Sequence, residues 1–273
     1  MKLVIAGGGT GGHLFPGVAI AESLLELDAR NEVLFVGTER GIEVRAVPKA
    51  GFRLALIDIA GLKRKSLVQR ITTLGRLPGS LLQSRRVLRE FRADAVIGVG
   101  GYASGPVVVA AWLMGLPTAI HEQNSVPGVT NKILSRLVRK VFVTFAASLP
   151  HFPAQKTSLV GNPVRRTFRE AAARPAGPFE EGLVFIFGGS QGARPLNETA
   201  PSALRLLQDE GLKVRALHQA GNDAVAGVEA AYREAGVQAT VTSFIDEMVE
   251  AYRRAHVVIL SLIHIFDTRH FES

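Results

Sequence analysis

Apolar residues along this chain fall in short unbroken runs separated by stretches of helical periodicity. LVIA at 3–6 leads into an amphipathic stretch at 14–27, and VLFVG follows at 33–37; that order reads as strand, helix, strand. Further runs predict strands at 54–59, 95–99, 118–121, 141–144 and 158–160, with helical segments between several of them. A parallel, doubly wound α/β sheet is the economical arrangement of such a series.

The pattern breaks at 162–182, NPVRRTFREAAARPAGPFEEG, where Pro163, Pro175, Gly177 and Pro178 interrupt a charged, alanine-rich stretch. An interdomain linker is predicted there. The pattern then restarts with LVFIF at 183–187, helices near 195–210 and 223–235, and strands at 214–217 and 256–260. The expected organisation is a first domain at 1–163, a linker at 164–182, a partial second domain at 183–259 and a tail at 260–273.

Composition narrows the setting. With 47% hydrophobic and 21% charged residues in 273, the chain is of globular type and long enough for two domains. The first glycines come too early for a secretory or membrane-spanning segment, so a cytoplasmic location is expected. The absence of cysteine removes disulfides and thiolate chemistry. A net charge of +8 suits an anionic partner. Lys63, Arg64, Lys65, Arg70, Arg76, Arg85, Arg86, Arg89 and Arg92 crowd a stretch whose one acid is Glu90.

Three glycine loops carry the candidate chemistry. GGGTGGH (7–13) follows a strand and opens a helix, so backbone N–H groups can approach a phosphate at the positive helix end. Gly7, Gly9 and Gly12 also satisfy the dinucleotide spacing, with Glu39 near the end of the next strand. GGYASGP (100–106) and GGSQGA (188–193) repeat the junction after other strands. Three junctions over two domains exceed what one nicotinamide site requires, and they describe a cleft suited to a diphosphate leaving group and a pyrophosphate acceptor.

The loops, with HEQN at 121–124, VGNPVR at 160–165 and FIDEM at 244–248, occur in the order and rough spacing of the MurG glycosyltransferases. The chain resembles that family from about 1 to 259. The resemblance implies a GT-B fold, two Rossmann-like parallel-sheet domains facing a cleft, the second incomplete. It implies inverting transfer of N-acetylglucosamine from UDP-N-acetylglucosamine to the 4-hydroxyl of the muramoyl sugar of undecaprenyl-linked lipid I, forming lipid II, with no cofactor. Donor contacts are expected from Thr10, Gly11, Gly12, Asn124, Arg165, Ser190 and the Ile245 backbone. The acceptor pyrophosphate is expected at Gly9, Gly100, Gly101 and Tyr102.

Attack by a hydroxyl requires a general base. His13 is the preferred candidate, with a plain helix-start role as its alternative; Glu122 is a second candidate, and His121 reads as structural support. No Asp-x-Asp pair occurs, which argues against a carboxylate-held metal on the diphosphate, and no H-x-x-x-H spacing supports zinc. The 62–92 segment interleaves arginines with apolar residues. Taken alone, that pattern is better explained by an ordinary amphipathic helix pair with its apolar side in the core and its arginines solvated. The resemblance instead implies a membrane patch of Leu67, Arg70, Ile71, Leu74, Arg76, Leu77 and Arg85, with Val68, Leu81 and Leu82 beside them, on the anionic inner leaflet at the cytoplasmic face.

Past 259 the chain reads LSLIHIFDTRHFES where the family continues with a glycine- and serine-rich turn. A non-native tail is expected, with a marginally stable second domain that limits this chain's own activity. Rival readings are another GT-B lipid glycosyltransferase, a nicotinamide-dependent oxidoreductase, and a non-catalytic basic module for membranes or nucleic acid. HEQN, GGYASGP and the second-domain loop disfavour them, and no nucleic-acid partner is expected.

Overall fold

The structure, a computed structural model, describes residues 1–39, 41–59, 77–173, 182–189 and 192–261. The chain divides into two compact units, Met1–Arg166 and the part from Thr167 onward.

The first unit is built on seven strands: β1 (Lys2–Gly7), β2 (Glu32–Gly37), β3 (Arg53–Leu56), β4 (Ala95–Gly100), β5 (Thr118–Glu122), β6 (Lys140–Val143) and β7 (Thr157–Leu159). All pair in parallel, in the order β3-β2-β1-β4-β5-β6-β7. Helices α1 (Gly11–Leu27), α2 (Glu43–Lys49), α3 (Leu77–Phe91), α4 (Ser104–Leu113) and α5 (Val129–Leu134) accompany it. Val4 and Ala6 pack with Leu34, Val36, Val96 and Ile120, while Leu3 and Ile5 pack with Val33, Phe35, Ile97 and Val99. Both faces of the sheet are therefore core, which is why its strands read as unbroken apolar runs. Each fully buried aliphatic side chain contributes roughly 1.5–3 kcal/mol.

The strand expected at 54–59 ends early. The Ile57 N–H still reaches the Gly37 carbonyl, but the Asp58 N–H donates to Gln83 Oε1 of α3, which draws the backbone off the sheet.

The second unit holds β8 (Leu183–Phe187), β9 (Arg215–Gln219), β10 (Ala239–Thr242) and β11 (Val257–Leu260), parallel in the order β10-β9-β8-β11. Helices α7 (Arg194–Asp209), α8 (Val225–Ala235) and α9 (Met248–Arg254) connect them. The stretch expected as linker carries a helix of its own, α6 (Arg166–Ala173), and its residues 174–181 lie outside the described residues. So does the expected tail beyond Ser261. Strand β11 is a sheet edge among the described residues, with Val257, Ile259 and Leu260 37–47% exposed. Urea is accordingly expected to unfold the chain in two steps, the second unit first, followed by fluorescence and circular dichroism; one fully cooperative transition contradicts that expectation.

At the centre of the second unit, His218 is fully buried between Tyr232 and Asn197. The Asn197 amide donates to the Ala220 carbonyl, so its oxygen faces His218 Nε2 and accepts that hydrogen, leaving Nδ1 for the Tyr232 hydroxyl. Burial pushes the His218 pKa down to about 4. The unfolded chain takes up this proton at a higher pH than the folded one. The contribution of His218 to the stability of the second unit is thus fully present above about pH 6.5 and is lost as the pH drops towards 4, a loss of at most about 3 kcal/mol. The midpoint of the first urea transition should fall between pH 7.5 and 4.5, and less in a His218→Asn variant; equal falls contradict the assignment.

Candidate functional site

The topology fixes where the first two glycine loops meet. In a doubly wound sheet the crevice opens where strand order reverses, here between the carboxyl ends of β1 and β4. There Gly7 pairs with Gly100, and the Gly8 N–H donates to the Gly100 carbonyl at 3.3 Å. The approach is close enough that a Cβ on Gly101, whose φ is +81°, would run into the Gly8 carbonyl. A Cβ on Gly100 would stand 2.7 Å from His13 Nδ1. Glycine is needed at both positions because backbone and ring occupy the side-chain space.

A buried carboxylate shapes the first loop from beneath. Glu43 of α2 is 1% exposed and accepts hydrogen bonds from the Gly9 N–H (2.8 Å), the Thr38 N–H (2.9 Å) and the Thr38 hydroxyl (3.1 Å). The Gly9 amide, expected to contact a pyrophosphate, is therefore already committed, and to an anion. Gly100 and Gly101 likewise serve to close the two loops on each other, and Tyr102 beside them is 43% exposed.

What remains open at the first loop is the start of α1. Thr10 is its exposed N-cap and makes no side-chain capping bond, and the N–H groups of Gly11 and Gly12 precede any intrahelical acceptor. No acidic residue occupies the first turn of α1, of α4 or of α7. Carboxylates are favoured at such positions, so three bare helix starts suit an external anion. Arg165 comes to the same region, its guanidinium 4.3 Å from the centre of the Phe15 ring in α1. Burial lowers its pKa, with the Glu22 charge opposing.

HEQN closes β5. His121 and Glu122 are each 1% exposed. Glu122 Oε1 accepts from the Asn124 N–H and side-chain amide, and Oε2 from the Gly128 N–H and the Asn131 amide, at 2.8–3.1 Å. A buried carboxylate holding four donors ties the loop together, and both of its oxygens are engaged by the loop that a base would have to release. Asn124 is exposed, with Oδ1 unpartnered among the described residues. His13 is the contrasting case: partly exposed, with Nδ1 3.0 Å from Gln123 Oε1 and no partner at Nε2 among the described residues.

In the second unit the buried Gln219 amide ties two motifs together. Its Nε2 donates to the Gly189 carbonyl at 2.7 Å, and its Oε1 accepts the Ile245 N–H at 2.8 Å. The Ile245 N–H is thus occupied, and its carbonyl is what remains to meet a base edge. Ser190 lies outside the described residues, as do Leu67, Arg70, Ile71, Leu74 and Arg76. Leu77 opens α3, on which Leu82, Arg85, Arg86 and Arg89 are exposed while Leu81 packs against the core. Trp112 and Leu113, at the end of α4, are 45% and 66% exposed. Among the described residues no helix is long and apolar enough to cross a membrane.

Sequence reasoning missed Glu43, Gln123 and Gln219. Gln123 lay inside a motif that was recognised, whereas Glu43 meets Gly9 across 34 positions and leaves no local signal.

Comparison with known proteins covers both units. Residues 3–143 match the glycosyltransferase family 28 N-terminal domain and residues 183–260 its C-terminal domain. The UDP-N-acetylglucosamine--N-acetylmuramyl-(pentapeptide) pyrophosphoryl-undecaprenol N-acetylglucosamine transferase of Myxococcus xanthus is 49% identical over 95% of this chain and 68% of its own length. The protein of the same name from Syntrophus aciditrophicus is 48% identical over 95% of this chain and 72% of its own. Among solved structures, MurG of Acinetobacter baumannii superposes with a TM-score of 0.70 at 31% identity, covering 95% of this chain and 73% of that one. With these matches over both parallel-sheet units, the chain belongs to glycosyltransferase family 28.

Proposed function

We propose that this chain transfers N-acetylglucosamine from UDP-N-acetylglucosamine to N-acetylmuramyl-(pentapeptide) pyrophosphoryl-undecaprenol, at the 4-hydroxyl of the muramoyl sugar. The relatives named for that reaction supply the substrates. The observation that carries the chemistry is His13 Nε2, without a partner among the described residues, beside the bare start of α1.

In the reaction, the acceptor oxygen forms a bond to the anomeric carbon as the bond to the diphosphate oxygen breaks. The hydroxyl proton passes to His13 Nε2, and the electron pair leaves with UDP. The N–H groups of Gly11 and Gly12, the α1 dipole and Arg165 supply positive potential for pyrophosphate or diphosphate oxygens. In the second unit the Ile245 carbonyl accepts from a uracil N–H, a reading supported by the bond that fixes the Ile245 N–H on Gln219. Inversion follows from a single displacement on the face opposite the leaving group.

The acceptor carries a lipid, so the enzyme works at a membrane surface. Exposed Leu82 among Arg85, Arg86 and Arg89 on α3, and Trp112 with Leu113 on α4, support docking on an anionic leaflet. Both units match glycosyltransferase models, which sets the nicotinamide reading aside. Calorimetric titration with UDP-N-acetylglucosamine and with NADH tests this directly. Saturable heat with the nucleotide sugar alone is expected; binding of NADH in its place contradicts the proposal.

A further inference from the structure

Gln123 has no part in the reaction as described, yet it lies where four motifs converge. Its Nε2 donates to the Val99 carbonyl at 3.0 Å and stands 3.3 Å from the His121 carbonyl. Carbonyl oxygens only accept, so that end of the amide is the nitrogen, and the end 3.0 Å from His13 Nδ1 is the oxygen. The oxygen also only accepts. His13 Nδ1 must then carry the hydrogen, which leaves the lone pair of the neutral ring on Nε2. We infer that Gln123 is a positioning residue: it holds His13 in the Nδ1–H tautomer and so presents Nε2 as the proton acceptor.

The surroundings lock the amide in this orientation. Nε2 also lies 3.0 Å from His121 Nδ1, which accepts, so His121 carries its hydrogen on Nε2, 3.2 Å from the Gly161 carbonyl. Burial holds the His121 pKa down and keeps that ring a neutral acceptor. One amide thus sits between two imidazoles of opposite tautomer and is pinned to β4 through Val99. Gly100 completes the arrangement, since any side chain there would displace the His13 ring. After Nε2 takes a proton, Nδ1–H still donates to Gln123 Oε1. The ring therefore needs no reorganisation during the transfer.

The catalytic consequence rests on the reading of His13 as the base, whereas the tautomer assignment stands on geometry alone. Long-range proton–nitrogen correlation spectra of the full-length, nitrogen-15-labelled chain, recorded where imidazoles are neutral, separate the two. The His13 signals are identified by their loss in His13→Gln. The expected wild-type spectrum places the hydrogen on His13 Nδ1; a hydrogen on Nε2 overturns the inference without any variant. In Gln123→Met the Nε2–H form should predominate, with kcat lowered roughly 10- to 100-fold and donor KM within about twofold. Gln123→Glu keeps an acceptor at Nδ1 and should retain the Nδ1–H form. An unchanged tautomer and kcat in Gln123→Met overturn the inference. Undiminished turnover in His13→Gln overturns the base reading and the catalytic half of this inference, while the tautomer is decided by the spectrum.

Discussion

Replacing His13 by glutamine is expected to lower kcat for sugar transfer by roughly 10²- to 10⁴-fold, the usual contribution of a positioned general base. Donor affinity should stay within about twofold, because the loss falls on proton removal and not on binding. Glutamine approximates the size of the ring and keeps a polar tip, so the α1 start, Gly100 and Gln123 can remain in place. A calorimetric Kd measured beside kcat separates the two effects. A variant that loses donor binding and turnover together would show that His13 serves the phosphate end of the site.

The second large effect concerns Glu122 and has the opposite signature. Glu122→Ala removes the acceptor of four hydrogen bonds and leaves the Gly128 N–H and the Asn124 and Asn131 amides to find other partners. Stranding donors around a buried site costs about 3–5 kcal/mol. The first unit should melt roughly 10 °C lower. Differential scanning calorimetry checks this. Native-like melting together with lost turnover would restore Glu122 as a candidate base and remove it as the loop anchor.

The two residues show what was legible in the sequence and what was not. Strands could be read because parallel strands buried on both faces need unbroken apolar runs, as in LVIA and LVFIF. The short β10, ATVT, lacks such a run and went unseen. The glycine loops could be read because close backbone approaches exclude side chains at positions such as Gly100 and Gly101. Which N–H groups stay open to a ligand could not, since that depends on buried acceptors far off in the chain. Glu43 takes the Gly9 N–H and Gln219 takes the Ile245 N–H, and both had looked available. Glu122 was hidden for a different reason: its partners Asn124, Gly128 and Asn131 are near in sequence, but a strand end does not reveal that the following loop folds back onto the carboxylate. His13 was identified from its place after the first glycine loop, but its tautomer depends on an amide held by Val99 of another strand.

The most direct test of the whole account is transfer of radiolabelled N-acetylglucosamine from UDP-N-acetylglucosamine to a short-chain analogue of the undecaprenyl-linked muramoyl-pentapeptide, with the linkage of the product determined by NMR. The account predicts a β-linked disaccharide joined at the muramoyl 4-hydroxyl, with turnover that His13→Gln nearly abolishes. An α-linked product, or transfer undiminished in His13→Gln, would contradict it.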